Sequence, residues 1–328
     1  MTLKTIKWGI MGCGGISGKF AKDLKLAEGA ELTAVAARSQ EKADKFAEQY
    51  GFARAYGSYE AFLQDSDVQI IYVGTIHPKH KEQVLACLNA GNAVICEKPF
   101  TINAAEAEEI VRVAGEKKLF VMEAMWSRFL PPLVQTREWL KQGLIGDVQL
   151  VKADFGFDAG WNPEGRLLNK EQGGGALLDA GIYPVSFASM IYGEQPRSIM
   201  SSAHIGETGV DERFSLLFEY EGGRTAALNG AVRLSLRNDA YVYGTKGYIH
   251  IPNFLFAKEA SLQVYGEEPV HVQDDRQFAG YKYEAEAAMA CLRAGALEND
   301  VISLSETVSI METMDRIRHQ WGLSYPTE

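Results

Sequence analysis

The sequence predicts a two-domain α/β protein: a doubly wound parallel sheet, followed by an α+β domain with a large, mostly antiparallel open sheet. Up to residue 123, short apolar runs alternate with helical patterns, which is the spacing of βαβ units. From Asp147 onward strands dominate, and several alternate apolar with polar residues, as in 214–220. We therefore predict a dinucleotide-binding domain at 1–123 and a substrate-binding and dimerisation domain at 124–328.

Composition excludes several classes of protein. The 328 residues carry a formal net charge of -10 and no basic block, which disfavours nucleic-acid or anionic-membrane partners. No apolar run approaches the length of a membrane span, and the N-terminus has the pattern of a strand and not of a secretory signal. The four cysteines are scattered without a CxxC pair. We expect reduced thiols, no metal site and a cytoplasmic location.

The first strand, 6–11, leads into a glycine-rich turn, GCGGIS at 12–17. Gly12 permits the tight turn, Gly14 lets a pyrophosphate approach the backbone, and the small Ser17 lets the next helix pack closely. The free amides at that helix's N-terminus favour phosphate. The predicted cofactor contacts of this turn are Gly12, Gly14, Gly15 and Ile16.

The second strand, 31–37, ends at Arg38 and Ser39. An NAD-preferring site usually has Asp or Glu there, to accept from the ribose 2′-hydroxyl. A guanidinium instead can pair with a 2′-phosphate, and Ser39 adds a hydroxyl. We predict NADP(H), with NAD less favoured. The alternative is that Arg38 only caps the following helix.

The loop 74–80 leaves the carboxyl end of the fourth strand, so we expect its backbone to lie beside the nicotinamide. Thr75 and His77 are its predicted cofactor contacts. His77 and His80 suggest a metal pair at first sight, but Pro78 starts a helix between them and no third ligand is evident. We prefer loop and helix-cap roles for both histidines.

The stretch 91–99, GNAVICEKP, is the centre of the first domain's prediction. Its apolar run predicts a buried strand that ends abruptly, because Pro99 cannot donate a ladder hydrogen bond. Glu97 and Lys98 thus lie at the carboxyl edge of the sheet, where open α/β sheets bind ligands. From these residues alone we favour a surface lysine in a turn, and the rest of the chain reverses that preference.

In the second domain, a glycine run at 173–175 precedes a helical segment with Asp179 and Tyr183 on one face. Pro184 predicts a kink in that helix. Tyr183 alone is consistent with a core tyrosine. The sheet should carry helices on one face and need a cover on the other, and Phe214, Leu216, Phe218 and Tyr220 predict an apolar face. We predict a homodimer through this sheet.

The glycine turn, the EKP triplet at 97–99 and the D-x-G-x-Y run at 179–183 resemble the Gfo/Idh/MocA oxidoreductase family. Within it, 123–129 and 173–179 look most like dimeric dihydrodiol dehydrogenases and NADP-dependent D-xylose dehydrogenases. The resemblance implies that Lys98 and Tyr183 are catalytic, that Asp179 positions substrate and that Trp126 lines the pocket. Many members carry His where this chain has Tyr183, a departure that argues against inositol dehydrogenases.

From this resemblance we expect an NADP(H)-dependent dehydrogenase that moves hydride between nicotinamide and a sugar or cyclic diol. Tyr183 is the expected base, with the Lys98 ammonium favouring its phenolate. Trp126, Phe155 and Phe157 are candidates to stack on the substrate ring, and Arg128 either holds a hydroxyl or forms a structural salt bridge. Two alternatives stay open: a reductase of a ketosugar such as 1,5-anhydrofructose, and a non-catalytic NADP-binding sensor, which an intact Lys98 with Tyr183 disfavours. The glycine turn disfavours a third, a carbohydrate-binding module without cofactor.

Overall fold

The computed structural model describes residues 4–328, which form two compact units. Among the described residues, the first unit contains 4–101, 105–126 and 278–308, and the second contains 102–104, 127–277 and 309–328. The segment 278–308 therefore belongs to the first unit although it follows the second in sequence. The predicted boundary at residues 123 and 124 stays a prediction, because compactness does not measure independent folding.

The first unit is built on a parallel sheet of six strands within the described residues. Its strands are β1 (Ile6–Met11), β2 (Ala30–Ala36), β3 (Arg54–Tyr56), β4 (Ile70–Val73), β5 (Ala93–Glu97) and β6 (Val121–Ala124). They lie in the order β3-β2-β1-β4-β5-β6. The order reverses between β1 and β4, and open α/β sheets bind ligands at such a switch point. This confirms the predicted doubly wound sheet.

Helices connect the strands, and their bounds agree closely with the apolar periodicity of the sequence. In chain order they are α1 (Gly15–Leu24), α2 (Gln40–Tyr50), α3 (Tyr59–Phe62), α4 (His80–Asn89), α5 (Ala104–Lys117), α6 (Pro131–Lys141), α7 (Ile182–Tyr192), α8 (Tyr281–Ala294) and α9 (Leu304–Gln320). The β5 strand is fully buried, as the apolar run that encodes it predicts.

The second unit contains a sheet of eight strands, counted within residues 4–328. They are β7 (Val148–Gly156), β8 (Ser198–Ile205), β9 (Asp211–Glu219), β10 (Thr225–Ala231), β11 (Ala240–Gly244), β12 (Gly247–Ile251), β13 (Glu259–Val264) and β14 (Val270–Gln273). Their order is β14-β13-β12-β11-β7-β10-β9-β8, and every pair is antiparallel except β7 with β10. This confirms the predicted mostly antiparallel sheet.

The burial of one face of this sheet contradicts the prediction that a partner chain must cover it. Phe214, Leu216, Phe218 and Tyr220 are at most 4% exposed, so the chain itself covers them. Tyr192 of α7 packs on Tyr220 with ring centroids 4.2 Å apart. The prediction that these four residues form an uncovered face is wrong, because strand alternation identifies an apolar face but not what lies on it.

A helical stretch at Lys170–Tyr192 is long and apolar enough to cross a membrane by length and composition alone. However, 83% of its most apolar window is buried inside the protein. Burial of this kind is typical of a core helix, since a membrane-spanning helix needs an apolar outer surface.

Candidate active site

The glycine turn of the first unit has the geometry of a phosphate cradle. Gly12 has φ +95°, and a Cβ there would lie 2.5 Å from Thr75 Cγ2, so only glycine is tolerated. Gly14 is the N-cap of α1, and within residues 4–328 no side chain caps this helix start. The amides that follow Gly14, beginning with Gly15 and Ile16, are the kind of helix start that binds anions.

A positively charged group stands at the end of β2. Arg38 and Ser39 are exposed, and the Ser39 hydroxyl accepts the Lys42 amide at 3.4 Å, so Ser39 caps α2. Burial raises the pKa of the Cys13 thiol to about 11, and the Lys42 ammonium partly lowers it. Burial likewise raises the pKa of Tyr59, and Arg38 lowers it. Sequence reasoning missed Lys42, whose ammonium acts on Cys13 of the glycine turn.

The loop after β4 is tied to the turn after β5 by His80. This ring contacts the Pro99 carbonyl through Nδ1 at 2.9 Å and the Thr75 carbonyl through Nε2 at 3.3 Å. Burial lowers the pKa of His80 to about 4, so the ring is neutral at pH 7. Thr75 donates to Gln83 at 2.5 Å, and His77 is buried beside His80 with ring centroids 5.8 Å apart. Among residues 4–328, no group of three or more potential ligands could hold a metal.

The backbone around Lys98 is fixed on both sides. The Tyr72 hydroxyl donates to the Glu97 carboxylate, which also accepts the Lys98 amide at 3.2 Å. Glu123 accepts the Phe100 amide at 3.1 Å and the Thr307 hydroxyl at 3.2 Å. Glu97 is thus a structural carboxylate in addition to its predicted cofactor contact. Lys98 itself is half-buried, at the carboxyl edge of the sheet as predicted.

Trp126 has a ring partner that sequence reasoning missed. Tyr281 packs against it with ring centroids 4.8 Å apart. Asp23, near the end of α1, accepts the amides of Gly280 and Tyr281 at 2.7 and 2.8 Å. A buried carboxylate at a helix start satisfies amides that otherwise have no partner. Asp23 therefore links α1 to the start of α8, the helix whose Tyr281 packs against Trp126.

In the second unit, Tyr183 lies in an aromatic environment. It is 7% exposed, at the start of α7. Its ring contacts the Phe155 ring edge-on, with centroids 5.5 Å apart and an interplanar angle of 81°. The Phe155 and Phe157 ring centroids are 5.8 Å apart. An edge-on contact of this kind fixes the orientation of the phenol ring. The structure thus brings together three of the predicted site residues.

Asp179 lies on a π-helical turn, Leu177–Gly181, immediately before α7. Such turns are frequent at functional sites. Pro184 follows in the first turn of α7, where a helix tolerates a residue without an N–H, and the predicted kink at Pro184 stays a prediction. Gly181 is required because a Cβ there would lie 2.5 Å from the Phe214 ring.

The Asp179 carboxylate accepts a hydrogen bond from the Arg166 guanidinium at 2.7 Å. Arg166 was missed, since nothing in the loop sequence indicates this partner.

Arg128 is buried and bound to α7. Its Nε donates to the Ser186 hydroxyl at 3.0 Å and its Nη2 to the Ser186 carbonyl at 2.7 Å. These two bonds favour a structural role in holding α7. A substrate contact for Arg128 stays a prediction, as do the substrate and cofactor roles of the other site residues.

A dinucleotide-type phosphate cradle and a second α/β unit with a phenol and a carboxylate define a nicotinamide-dependent oxidoreductase. Comparison with known proteins agrees: residues 6–125 match an oxidoreductase family described by its NAD-binding Rossmann fold, and 133–250 match the Gfo/Idh/MocA C-terminal domain. The chain belongs to the Gfo/Idh/MocA family, as the sequence motifs indicated.

The chain is similar to trans-1,2-dihydrobenzene-1,2-diol dehydrogenases. It is 41% identical to that of Xenopus tropicalis, over 98% of this chain and 99% of the relative. The human enzyme is 39% identical with the same coverage. Relatives of this kind over the full length confirm that this chain is an enzyme.

Two solved structures have the same fold. Aldose-aldose oxidoreductase from Caulobacter crescentus has a TM-score of 0.88 and 24% identity, covering 98% of this chain and 99% of that one. A 3-ketoreductase from Actinomadura kijaniata, in complex with NADP, has a TM-score of 0.86 and 23% identity, covering 96% and 98%. At these identities the comparison concerns the fold alone.

Proposed function

We propose that this enzyme is an NADP(H)-dependent dehydrogenase that oxidises a CH–OH group of a trans-dihydrodiol or a sugar. One observation carries the proposal: the Tyr183 phenol stands edge-on to Phe155, four residues after the Asp179–Arg166 pair. A phenol can accept a proton, an apolar ring can contact a ring substrate, and a carboxylate with a guanidinium can bind a vicinal hydroxyl. The full-length relatives support the diol as substrate.

The proposed chemistry divides into hydride and proton transfer. NADP⁺ supplies the hydride acceptor when bound, and the chain supplies binding, orientation and proton transfer. Tyr183 takes the proton of the oxidised hydroxyl, Asp179 and Arg166 orient the neighbouring hydroxyl, and Lys98 contributes the positive charge that favours an oxyanion. The predicted stacking surfaces are Trp126, Phe155 and Phe157.

Steady-state reduction of the cofactor tests this function. We expect NADPH to form when the enzyme is given NADP⁺ with trans-1,2-dihydrobenzene-1,2-diol, and more slowly with aldoses such as D-xylose. Oxidation of NADPH by 1,5-anhydrofructose, without any diol or aldose oxidation, would support the ketosugar reductase instead. NADP⁺ binding without turnover on any of these compounds would contradict the dehydrogenase and support a sensor.

Arg38 is the proposed determinant of NADP over NAD, and the Lys42 ammonium, which acts on Cys13 of the glycine turn, adds positive charge. A charged hydrogen bond contributes about 1.5–3 kcal/mol. Arg38→Asp should therefore lower kcat/KM for NADP by about ten- to a hundredfold relative to NAD. Arg112→Asp, the same charge change at an exposed position of α5, is the control and should leave both values unchanged. An unchanged NADP preference in Arg38→Asp would contradict the assignment.

We propose that the enzyme is a homodimer through the face of the second sheet opposite to Phe214. Tyr241 stacks on His250 with centroids 4.2 Å apart and on Tyr243 at 5.6 Å, and these rings are only half-buried. Val242 and Ile249, on the other face, are fully buried. Half-covered aromatic rings on a broad sheet are typical of an interface between copies. Light scattering should give twice the chain mass at micromolar concentration, and a monomer mass would contradict the dimer.

A cytosolic location completes the proposal. Three of the four cysteines, namely Cys13, Cys87 and Cys96, are buried, and all four are free thiols. Burial raises the pKa of Cys87, which keeps its thiol protonated and unreactive. Free thiols in apolar surroundings are typical of proteins that work in a reducing compartment.

A further inference from the structure

The glycine run at 173–175 surrounds a buried carboxylate from a neighbouring strand. Asp211, the first residue of β9, is fully buried and accepts the Leu177 amide through Oδ2 at 2.6 Å. Leu177 begins the π-helical turn that carries Asp179. The carboxylate thus takes the place of a helix cap, although it comes from a residue 34 positions away.

Two glycines allow this approach. Gly175 has φ +120°, and a Cβ there would lie 2.3 Å from Asp211 Oδ1. A Cβ at Gly174 would lie 2.6 Å from the Arg166 carbonyl. Backbone hydrogen bonds hold Gly175 on both sides. The Gly175 amide donates to the Leu167 carbonyl at 2.9 Å, and the Gly175 carbonyl accepts the Asp179 amide at 3.3 Å. The glycine run therefore joins Asp211 both to the π-helical turn and to the loop of Arg166.

We propose that Asp211 is a positioning residue, whose carboxylate fixes the start of the π-helical turn and thereby orients Asp179, Arg166 and Tyr183 for proton transfer. This inference rests on the proposed function. It requires no contact between Asp211 and substrate, since the carboxylate acts through the backbone of 175–177. A displacement of about 1 Å in such a segment can cost about a hundredfold in rate.

The charged groups around Asp211 make its effect dependent on pH. Burial raises the pKa of Asp211 to about 7, while the amides of Leu177, Ala176 and Asp211 itself and the Arg318 guanidinium of α9 act in the opposite direction. Arg318 is in turn held by Asp315 and Glu328. The remaining neighbour is the Tyr325 hydroxyl, which donates to the Gly174 carbonyl at 2.7 Å and is protonated because burial raises its pKa.

Ionisation of Asp211 changes the strength of its hydrogen bond with the Leu177 amide. Above pH 7 the carboxylate accepts the Leu177 amide as a charge-assisted bond, which is roughly twice as strong as a neutral one. Below pH 7 the neutral carboxyl holds the turn more weakly. The native carboxyl binds a proton more tightly than the unfolded one, so its stabilising contribution is fully present below pH 3.8 and is lost as pH rises through about 7.

The test compares two variants with wild-type enzyme, using NADP⁺ and trans-1,2-dihydrobenzene-1,2-diol. Asp211→Ala should lower kcat by about ten- to a hundredfold at pH 6 and at pH 8.5, with the Kd of NADP⁺ unchanged. Asp211→Asn keeps an acceptor oxygen without the charge, so its kcat should equal that of wild type at pH 6 and be severalfold lower at pH 8.5. Glu207→Gln, an exposed carboxylate before β9, controls for net charge and should behave as wild type.

The melting temperature is a second measurement, and it tests the inference even if Asp211→Ala does not fold. The increase in melting temperature of wild type from pH 8.5 to pH 6 should be smaller in Asp211→Asn, because the titrating carboxyl is gone. A kcat profile of Asp211→Asn that coincides with wild type over this pH range overturns the inference. Tyr183→Phe distinguishes the two failures: if that variant keeps its kcat, the proposed function fails, and if it loses kcat while Asp211→Ala does not, only the role of Asp211 fails.

Discussion

Tyr183→Phe is expected to lower kcat by about a hundred- to ten-thousand-fold, which is the usual size of general acid–base catalysis. The substitution removes only the hydroxyl and keeps the edge-on ring contact with Phe155. The loss should therefore come from proton transfer and not from a change in packing. It is measured as kcat with saturating NADP⁺ and diol, across pH 6 to 10.

The matched control is Tyr192→Phe, the same substitution at the other end of α7. The Tyr192 hydroxyl donates to the Thr225 carbonyl at 2.7 Å, so its loss should affect stability and leave kcat unchanged. The Kd of NADP⁺ should be the same in both variants, because the predicted cofactor contacts lie in the first unit. If Tyr183→Phe keeps most of its kcat and the wild-type pH profile, Lys98 is the base and Tyr183 only packs.

Lys98→Met is the second large effect, and we expect it to lower kcat and to move the pH dependence of kcat/KM upward. Methionine keeps the length of the side chain and removes its charge. An ammonium favours a nearby anion, so without it a phenolate forms only at higher pH. The measurement is kcat/KM for the diol as a function of pH, in wild type and variant.

Lys45→Met provides the control, since Lys45 is exposed on α2 and its ammonium pairs with Glu41 at 2.6 Å. It should leave kcat and the pH profile unchanged. The double variant of Lys98 and Tyr183 should lose no more than the worse single variant, because residues that act in one step are not additive. Additive losses, or a pH limb that does not move in Lys98→Met, would contradict a shared step.

The fold could be predicted well from the sequence because the hydrophobic periodicity follows directly from the secondary structure. Strand alternation and βαβ spacing identified both sheets, and the strand at 93–96 ended where Pro99 required it. The pattern did not predict which face of the second sheet the chain covers, because Phe214 and its alternating neighbours have the same pattern whether a helix or a partner lies on them.

Candidate site residues that lie in a local sequence motif were predicted. Residues that contact the site only through the tertiary structure, from positions distant in sequence, were missed. Lys98, Asp179 and Tyr183 lie in recognisable runs. Arg166 and Asp211 meet the π-helical turn only through tertiary contacts, at separations of 13 and 34 residues. The glycine run at 173–175 was the available signal for Asp211, since glycines in series indicate a close approach of something to the backbone.

Transfer of deuterium tests the central claim most directly. Wild-type enzyme is given NADP⁺ and trans-1,2-dihydrobenzene-1,2-diol labelled with deuterium at both carbinol carbons, and the reduced cofactor is examined by NMR. Our account predicts that C4 of the nicotinamide ring carries one deuterium for each diol oxidised. Bound NADP⁺ without any reduced cofactor, or reduced cofactor that carries only protium at C4, would contradict it.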